Sequence, residues 1–550
     1  MHDTPRDKTQ TAPAAPEATA PRFAFLDRLG EEIAAPRPAA ETGAPPSEGT
    51  APPPAATADQ HARLRAAMRQ VSGPGDAPAT PRLLHDHRTP KSVFAWFLVA
   101  LVLLAPLPVG SNRPLPWTAM AIAIGLLGLI YMLFAARRMP HAPLRLGGLG
   151  ALVALALAQP LWGLVQTLPL GSFAEGLTLP ADLPPALRPA TISLDPGSTL
   201  IAALRMAGHA AFFLLALDLM TRPERLLRTM RALFWGITGY AVYGMVALSL
   251  LGDTGLWGAK EAYLGYATGP FTNRNSFASF LGIGLILGIA LLRELQRRPR
   301  MRRPRRHGPL TENGLRFALY GTGMAIVLAT LLATGSRMGI AASLAGAVVT
   351  FVLMRGPAGD SATSATDAAT GARPGRVLAG IAILLVAAGA LTLLFGTTLI
   401  ERSLFLERAF DMRFAIFAQA LEMIGQRPLL GYGLDAFPRA FELGRPDSFL
   451  NGFIYTDAHS TYLENWVEGG LIFGSVPVVL GAFYLLRLRA ALQHRARQIA
   501  ASAAAAGVFT LAALHSLADF SFEVEANVLL LCLICAMGVS PLTIWGRART

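Results

Sequence analysis

The chain has 550 residues, of which 53% are hydrophobic and only 15% charged; its mean hydropathy is +0.43 and its formal net charge +13. That balance excludes an ordinary soluble domain and predicts an all-α polytopic membrane protein. The basic residues fall mainly in loops between apolar runs, so they read as topology determinants facing anionic lipid, and no nucleic-acid partner is expected.

In chain order, residues 1–90 come first, an Ala/Pro-rich stretch with runs such as Pro45-Pro46 and Pro52-Pro53-Pro54. Such a segment buries too little apolar surface to offset its ordering entropy, so a disordered cytoplasmic tail is predicted. Within it, Pro21–Ile33 and Gln60–Gln70 can form transient helices, the second on the membrane surface, against the plainer reading of a solvated tail throughout. No early apolar core precedes the first span, so no signal peptide is expected.

From Ser92 onward, apolar runs of the length needed to cross ~30 Å of hydrocarbon recur. Spans are predicted near 92–109, 116–135, 147–165, 198–220, 230–251, 275–292, 315–333, 338–355, 377–396, 466–486, 498–515 and 526–544. These make about twelve helices: nine within 91–396 and three within 466–550, the latter ending in a short cytoplasmic C-terminus. Arg137-Arg138, Arg222/Arg225/Arg228, the block Arg297–Arg306, Arg373/Arg376 and Arg487/Arg489/Arg495 occupy alternate loops. The positive-inside rule then puts both termini in the cytoplasm. It leaves 110–115, 166–197, 252–274, 334–337, 397–465 and 516–525 on the outer side.

The segment 397–465 is too long for a simple connection. Phe410, Phe414, Phe417, Leu421 and Ile424 recur at spacings of four and three, which predicts an amphipathic helix resting on the membrane. Pro428, Gly431 and Gly433 break it. The two cysteines, Cys532 and Cys535, sit inside one apolar run and read as packing residues.

Arg274 and Arg337, each at the mouth of an apolar helix, and His459 all fall on the outer side. Charge at a membrane boundary is costly unless something uses it, and an Arg fork matches a pair of phosphate oxygens. Arg274 is flanked by two amides, Asn273 and Asn275. The bland reading of Arg274 is interfacial snorkelling, and that of Arg337 a tight helix–helix turn. Arg413 stands beside Asp411 on its helix. Arg205 and His209, one turn apart within the fourth span, face the bundle interior or a water-filled cavity. His459 can take a hydroxyl proton near neutral pH, or simply cap the next helix with Ser460 or Thr461. If 461–486 is one helix, Glu464 and Glu468 share a face, where either one orients His459 or acts as the base itself. His515 and Asp519, at spacing four, either belong to the same site or, the plainer reading, form a helix-terminal ion pair. Tyr432, Phe437, Tyr455, Tyr462 and Trp466 read as interfacial belt residues.

Four pieces of this sequence carry a resemblance. They are Gly269-Pro-Phe-Thr-Asn-Arg-Asn-Ser-Phe-Ala278, Ser336-Arg337-Met-Gly339, the stretch from Asp411-Met-Arg413 to Gln426-Arg-Pro-Leu-Leu-Gly-Tyr-Gly-Leu-Asp-Ala-Phe437, and His459-Ser-Thr-Tyr-Leu-Glu464 with Glu468-Gly-Gly-Leu471. In this order they resemble the O-antigen ligase/polymerase superfamily over roughly residues 92–545. The resemblance implies a fold like that of membrane (GT-C-like) glycosyltransferases. It also implies transfer of a glycan from undecaprenyl pyrophosphate to an acceptor hydroxyl at the outer face of the bacterial inner membrane. The acceptor would be another glycan or lipid A–core, in O-antigen or exopolysaccharide assembly, without a metal or other cofactor. On this reading His459, Arg337, Arg274 and Glu464 are catalytic. Asn273, Asn275, Arg413, Glu468, Arg205 and His209 bind substrate, and the N-terminal tail can engage an assembly partner. The competing readings are a twelve-helix transporter, which should show repeat symmetry between its halves, and a flippase for the same lipid-linked glycan. A flippase needs cations along a transmembrane path.

Overall fold

The computed structural model describes residues 90–138, 149–170, 190–297, 312–355, 399–445, 449, 454–494 and 498–545. The expected tail, the ninth span at 377–396 and most of the Arg297–Arg306 block lie outside them.

Every regular element among the described residues is helical. The helices are α1 (Pro90–Leu104), α2 (Pro114–Arg138), α3 (Gly150–Gln166), α4 (Pro196–Leu219), α5 (Pro223–Ser249), α6 (Arg274–Arg297) and α7 (Glu312–Ala333). They continue with α8 (Arg337–Leu353), α9 (Leu399–Gln426), α10 (Phe437–Leu443), α11 (Thr461–Gly474), α12 (Val476–His494), α13 (Ile499–His515) and α14 (Glu525–Trp545). Six of these are long and apolar enough to cross a membrane: α2, α4, α5, α6, α7 and α12. Five shorter apolar helices, α1, α3, α8, α13 and α14, accompany them. This is the build of a membrane protein.

The starts of the helices are written locally. Asp195 accepts a hydrogen bond from Ser198 N at 3.1 Å, with Pro196 in the first turn of α4. Ser336 caps α8 through Gly339 N (3.2 Å), and Ser460 caps α11 through Leu463 N (3.5 Å). Asn273 Oδ1 accepts from Asn275 N (2.7 Å) at the mouth of α6.

Helix α6 is the centre of the bundle, with 83% of its apolar window buried, against 17% for the peripheral α2. It packs against α5, α7, α8 and α13. Small residues allow these close crossings. At the α8–α13 crossing, a Cβ on Gly346 would stand 2.3 Å from the Gly507 carbonyl oxygen.

The predicted span at 466–486 is broken, so the condition that 461–486 be one helix is not met. At Gly470 the backbone turns to φ 70°, ψ 174°, and the spanning helix α12 starts only at Val476. The break admits the 428–434 turn: Leu471 N donates to Pro428 O (2.7 Å), and Tyr432 N and Gly433 N donate to Val467 O and Glu468 O (3.0 Å each).

Helix α9 forms where expected, and it has two apolar sides. Phe414 and Leu421 are exposed, and the buried face is Ile416, Ala420, Met423 and Ile424. That face forms a second core with Tyr432, Phe437, Phe441, Phe449 and Val467. Tyr432 and Phe437 are therefore core residues of the loop element, not belt residues.

Candidate functional site

Three helix amino termini meet at one end of the bundle. The mouths of α6 and α8 lie side by side: a Cβ on Gly335 would be 3.4 Å from Arg274 Nη1, and one on Gly339 would be 2.7 Å from Ala278 Cβ. The loop between α13 and α14 ties α11 to the same place. Thr461 N donates to Ser516 O (3.1 Å), Thr461 Oγ1 to Asp519 O (3.3 Å), and Asn275 Nδ2 to Asp519 Oδ1 (2.7 Å). Helix amino termini carry unsatisfied N–H groups and partial positive charge, which favour anions.

The arginines here have no carboxylate partner among the described residues. The Arg274 guanidinium lies 4.2 Å from the ring centre of Tyr266 and 5.6 Å from that of Tyr263, and its Nε is buried without a hydrogen-bond partner. The aromatic faces hold the cation without neutralising it. Arg337 is exposed at the first turn of α8. Arg413, half-buried on α9, is close enough to act electrostatically on Tyr263 and His459.

His459 sits in the left-handed region at φ 54°, an uncommon conformation for a side-chain-bearing residue. Its ring lies 5.8 Å from that of Phe520, and its Nδ1 is buried without a hydrogen-bond partner. Burial, reinforced by the Arg413 charge and opposed by Asp519, pushes the imidazole below its usual 6.5. It is therefore neutral at physiological pH and open to accept a proton, though as a weaker base than a free imidazole. The cap of α11 is Ser460.

Glu464 does not orient His459. It accepts a hydrogen bond from Ala458 N (2.9 Å) and stands in a triad with Asp457 and Glu523, whose carboxylate oxygens lie within 4.8 Å of one another. Burial is the main cause that pushes Asp457 up to about 6 and Glu523 up to about 8. The triad can share protons or hold one divalent cation. Glu468 is engaged with the loop element: its Oε1 accepts from Phe437 N at 3.3 Å. Asn273 and Asn275 likewise spend their polar groups on the cap of α6 and on Asp519.

His515 and Asp519 do not pair with each other. His515 Nδ1 and Ser279 Oγ are 2.5 Å apart, while Asp519 takes Asn275 and Ser521. Arg205 stacks 4.5 Å from the Trp117 ring centre and acts electrostatically on Asp435 and Glu523. His209 Nε2 meets Glu525 Oε2 at 2.8 Å. Sequence reasoning passed over Asp457 and Glu523 and read Asp519 first as the partner of His515. Asp457 and Glu523 are loop acids far apart in sequence, and only the closing of 516–524 against 457–464 brings them together. The sole local signal was that Asp457 lies two residues before His459.

Residues 322–476 match the family described as O-antigen ligase. The segment contains Arg337, Arg413, His459, Glu464 and Glu468; Arg274 and its flanking amides precede it. The match supports the O-antigen ligase/polymerase superfamily for this chain. No curated protein matches it.

Proposed function

We propose that this protein transfers a glycan from an undecaprenyl-pyrophosphate carrier to an acceptor hydroxyl, at the outer face of the bacterial inner membrane. The observation that carries the reading is that Arg274, Arg337 and Arg413, without carboxylate partners among the described residues, share one end of the bundle with a neutral His459. The family match supports a glycan ligase or polymerase in general.

The donor's pyrophosphate lies against the mouths of α6 and α8, where Arg274 and Arg337 meet its oxygens and Arg413 faces it from the loop element. Asn275, fixed by Asp519, sets the pitch of that mouth. His459 takes the proton of the acceptor hydroxyl as its oxygen attacks the anomeric carbon. The bond from that carbon to the phosphate oxygen breaks, and the electron pair leaves with the pyrophosphate. Arginine charge and helix amino termini stabilise the leaving group, so the step calls for no metal. Asp457, Glu464 and Glu523 hold protons next to the acceptor path and contact its hydroxyls. Arg205 and His209 line the approach of the glycan. The acceptor is a second lipid-linked glycan or lipid A–core, in O-antigen or exopolysaccharide assembly. Twelve spans with both termini cytoplasmic, and a GT-C-like arrangement, belong to the same reading, as does a tail that engages an assembly partner.

The test is purified protein in lipid with an undecaprenyl-pyrophosphate oligosaccharide as the sole substrate, products resolved by size. A ladder of longer lipid-linked chains establishes polymerisation. An unchanged donor that is then consumed on adding lipid A–core establishes ligation. A donor unchanged in both cases overturns the reading.

A further inference from the structure

The loop between α5 and α6 is held in shape by its own bonds. Lys260 pairs with Asp253, and its Nζ also donates to Tyr266 O (2.7 Å). Gly265 N donates to Asp253 Oδ2 at 2.6 Å and Tyr266 N to Tyr263 O at 3.2 Å. Ala267 N donates to Ala333 O at 2.9 Å, which fastens the loop to the end of α7, just before the Arg337 mouth. The turn so defined carries Tyr263 at φ 59°, in the left-handed region. A bulky residue held there is a backbone outlier, and such outliers gather at binding and catalytic sites.

Three observations say what Tyr263 is held for. Its ring lies 5.6 Å from the Arg274 guanidinium, so the residue stands at the mouth of α6. Its hydroxyl has no hydrogen-bond partner among the described residues and is not enclosed, so it is open to whatever enters the site. Four charged groups from four parts of the chain are close enough to act on it electrostatically: Arg274 on α6, Arg413 on α9, Asp457 ahead of α11, and Asp519 between α13 and α14. The hydroxyl therefore stands where the arginines meet the acids that flank His459, and an oxygen held by Arg274 and Arg413 falls beside it. Burial, reinforced by Asp519 and Asp457 and opposed by Arg274 and Arg413, pushes the phenol above its usual 10, so it keeps its proton to donate.

We propose that Tyr263 binds substrate directly: its hydroxyl donates a hydrogen bond to a pyrophosphate oxygen of the lipid carrier, beside Arg274. The identity of that ligand rests on the carrier reading above. Ring and hydroxyl then have separate tasks. The ring face keeps the guanidinium in place without taking its charge. The hydroxyl adds a donor to an anion without adding a fourth positive charge to a site that already holds three arginines.

The experiment uses the full-length protein in detergent, with undecaprenyl pyrophosphate lacking any glycan as the probe, bound lipid counted by native mass spectrometry and melting temperature recorded alongside. Tyr263→Phe keeps the ring over Arg274 and removes only the hydroxyl. It is expected to bind the probe about tenfold more weakly than the native protein, the loss of one hydrogen bond to a charged group, at an unchanged melting temperature. Undecaprenol, which has no phosphate, is expected to bind both proteins alike. Equal affinity of the two proteins for the pyrophosphate overturns the proposal and leaves the carrier reading standing. An equal loss with undecaprenol assigns the hydroxyl to the fold and overturns it as well. A native protein that does not bind the probe overturns the carrier reading and this inference with it.

Discussion

At the scale of single residues, the candidate site has two kinds of charge. Arg274 is held by tyrosine faces and is free to meet phosphate. Arg274→Ala should lower transfer by about 10²–10³-fold, the usual loss on removing one charge-stabilising donor, while membrane insertion is unchanged; near-native turnover would remove Arg274 from the mechanism. Arg337→Lys keeps the charge but loses the planar fork, so it should fall by a similar factor, and full activity would end the bidentate role. His459 is neutral above its lowered pKa, so the rate should decline only below pH 6.5, the ordinary imidazole value. His459→Gln should be slower by about 10²–10⁴-fold and lack that acid limb in a pH–rate profile. Glu523 titrates near 4.5 when unfolded and about 8 when folded. Between those values the folded state binds more protons, so stability falls as pH rises. Glu523→Gln cannot lose a proton. Its melting temperature should be flatter with pH and should exceed that of the native protein at alkaline pH; parallel curves would show that Glu523 ionises freely.

At the scale of elements, the break in the 461–486 segment matters most. Gly470 is left-handed at φ 70°, and a Cβ there would stand 2.4 Å from the Leu429 carbonyl oxygen. Gly470→Ala should cost about 1–3 kcal/mol in backbone strain, beyond any relief of that clash. The 428–434 turn should then become open to limited proteolysis; unchanged cleavage would show that the turn is held from elsewhere. This junction was not legible in the sequence. Gly469-Gly470 stands inside an apolar run, and length alone argues for one helix until the turn that enters the gap is known. The outer helix was legible as a helix, but its second apolar side, which packs into the loop core, was not. Both the Phe414/Leu421 side and the Ile416/Ala420/Met423 side are apolar, and only packing against Phe437 and Phe441 decides between them. By contrast, most of the apolar helices among the described residues were readable to within a few residues, α5 and α12 excepted. Their information is local: apolar length, a capping Asp, Ser or Asn, and proline in the first turn.

At the scale of the whole molecule, the site exists because helices distant in sequence cross closely. The Gly346–Gly507 contact lets α8 settle on α13 and brings the Arg337 mouth beside Arg274. Gly346→Val should force these helices apart. The outcome to measure is loss of the monodisperse peak in detergent or, if the protein still folds, loss of transfer with unchanged expression. Native behaviour in both would show that the crossing is not needed. Such coincidences explain why Arg274, Arg337 and His459 stood out as candidates in the sequence while Asp457 and Glu523 did not. The first group stands at helix mouths that sequence alone locates; the second acquires meaning only from neighbours in three dimensions. The pairing of these groups also sets how the protein meets a change in acidity. Guanidinium charge and helix amino termini do not titrate in the physiological range; histidine and the carboxyl triad do. On the proposed assignment, the grip on the carrier lipid is therefore constant while the chemistry is adjustable. An acid shift outside the cell would leave the enzyme loaded but idle, ready to resume without having to find its donor again.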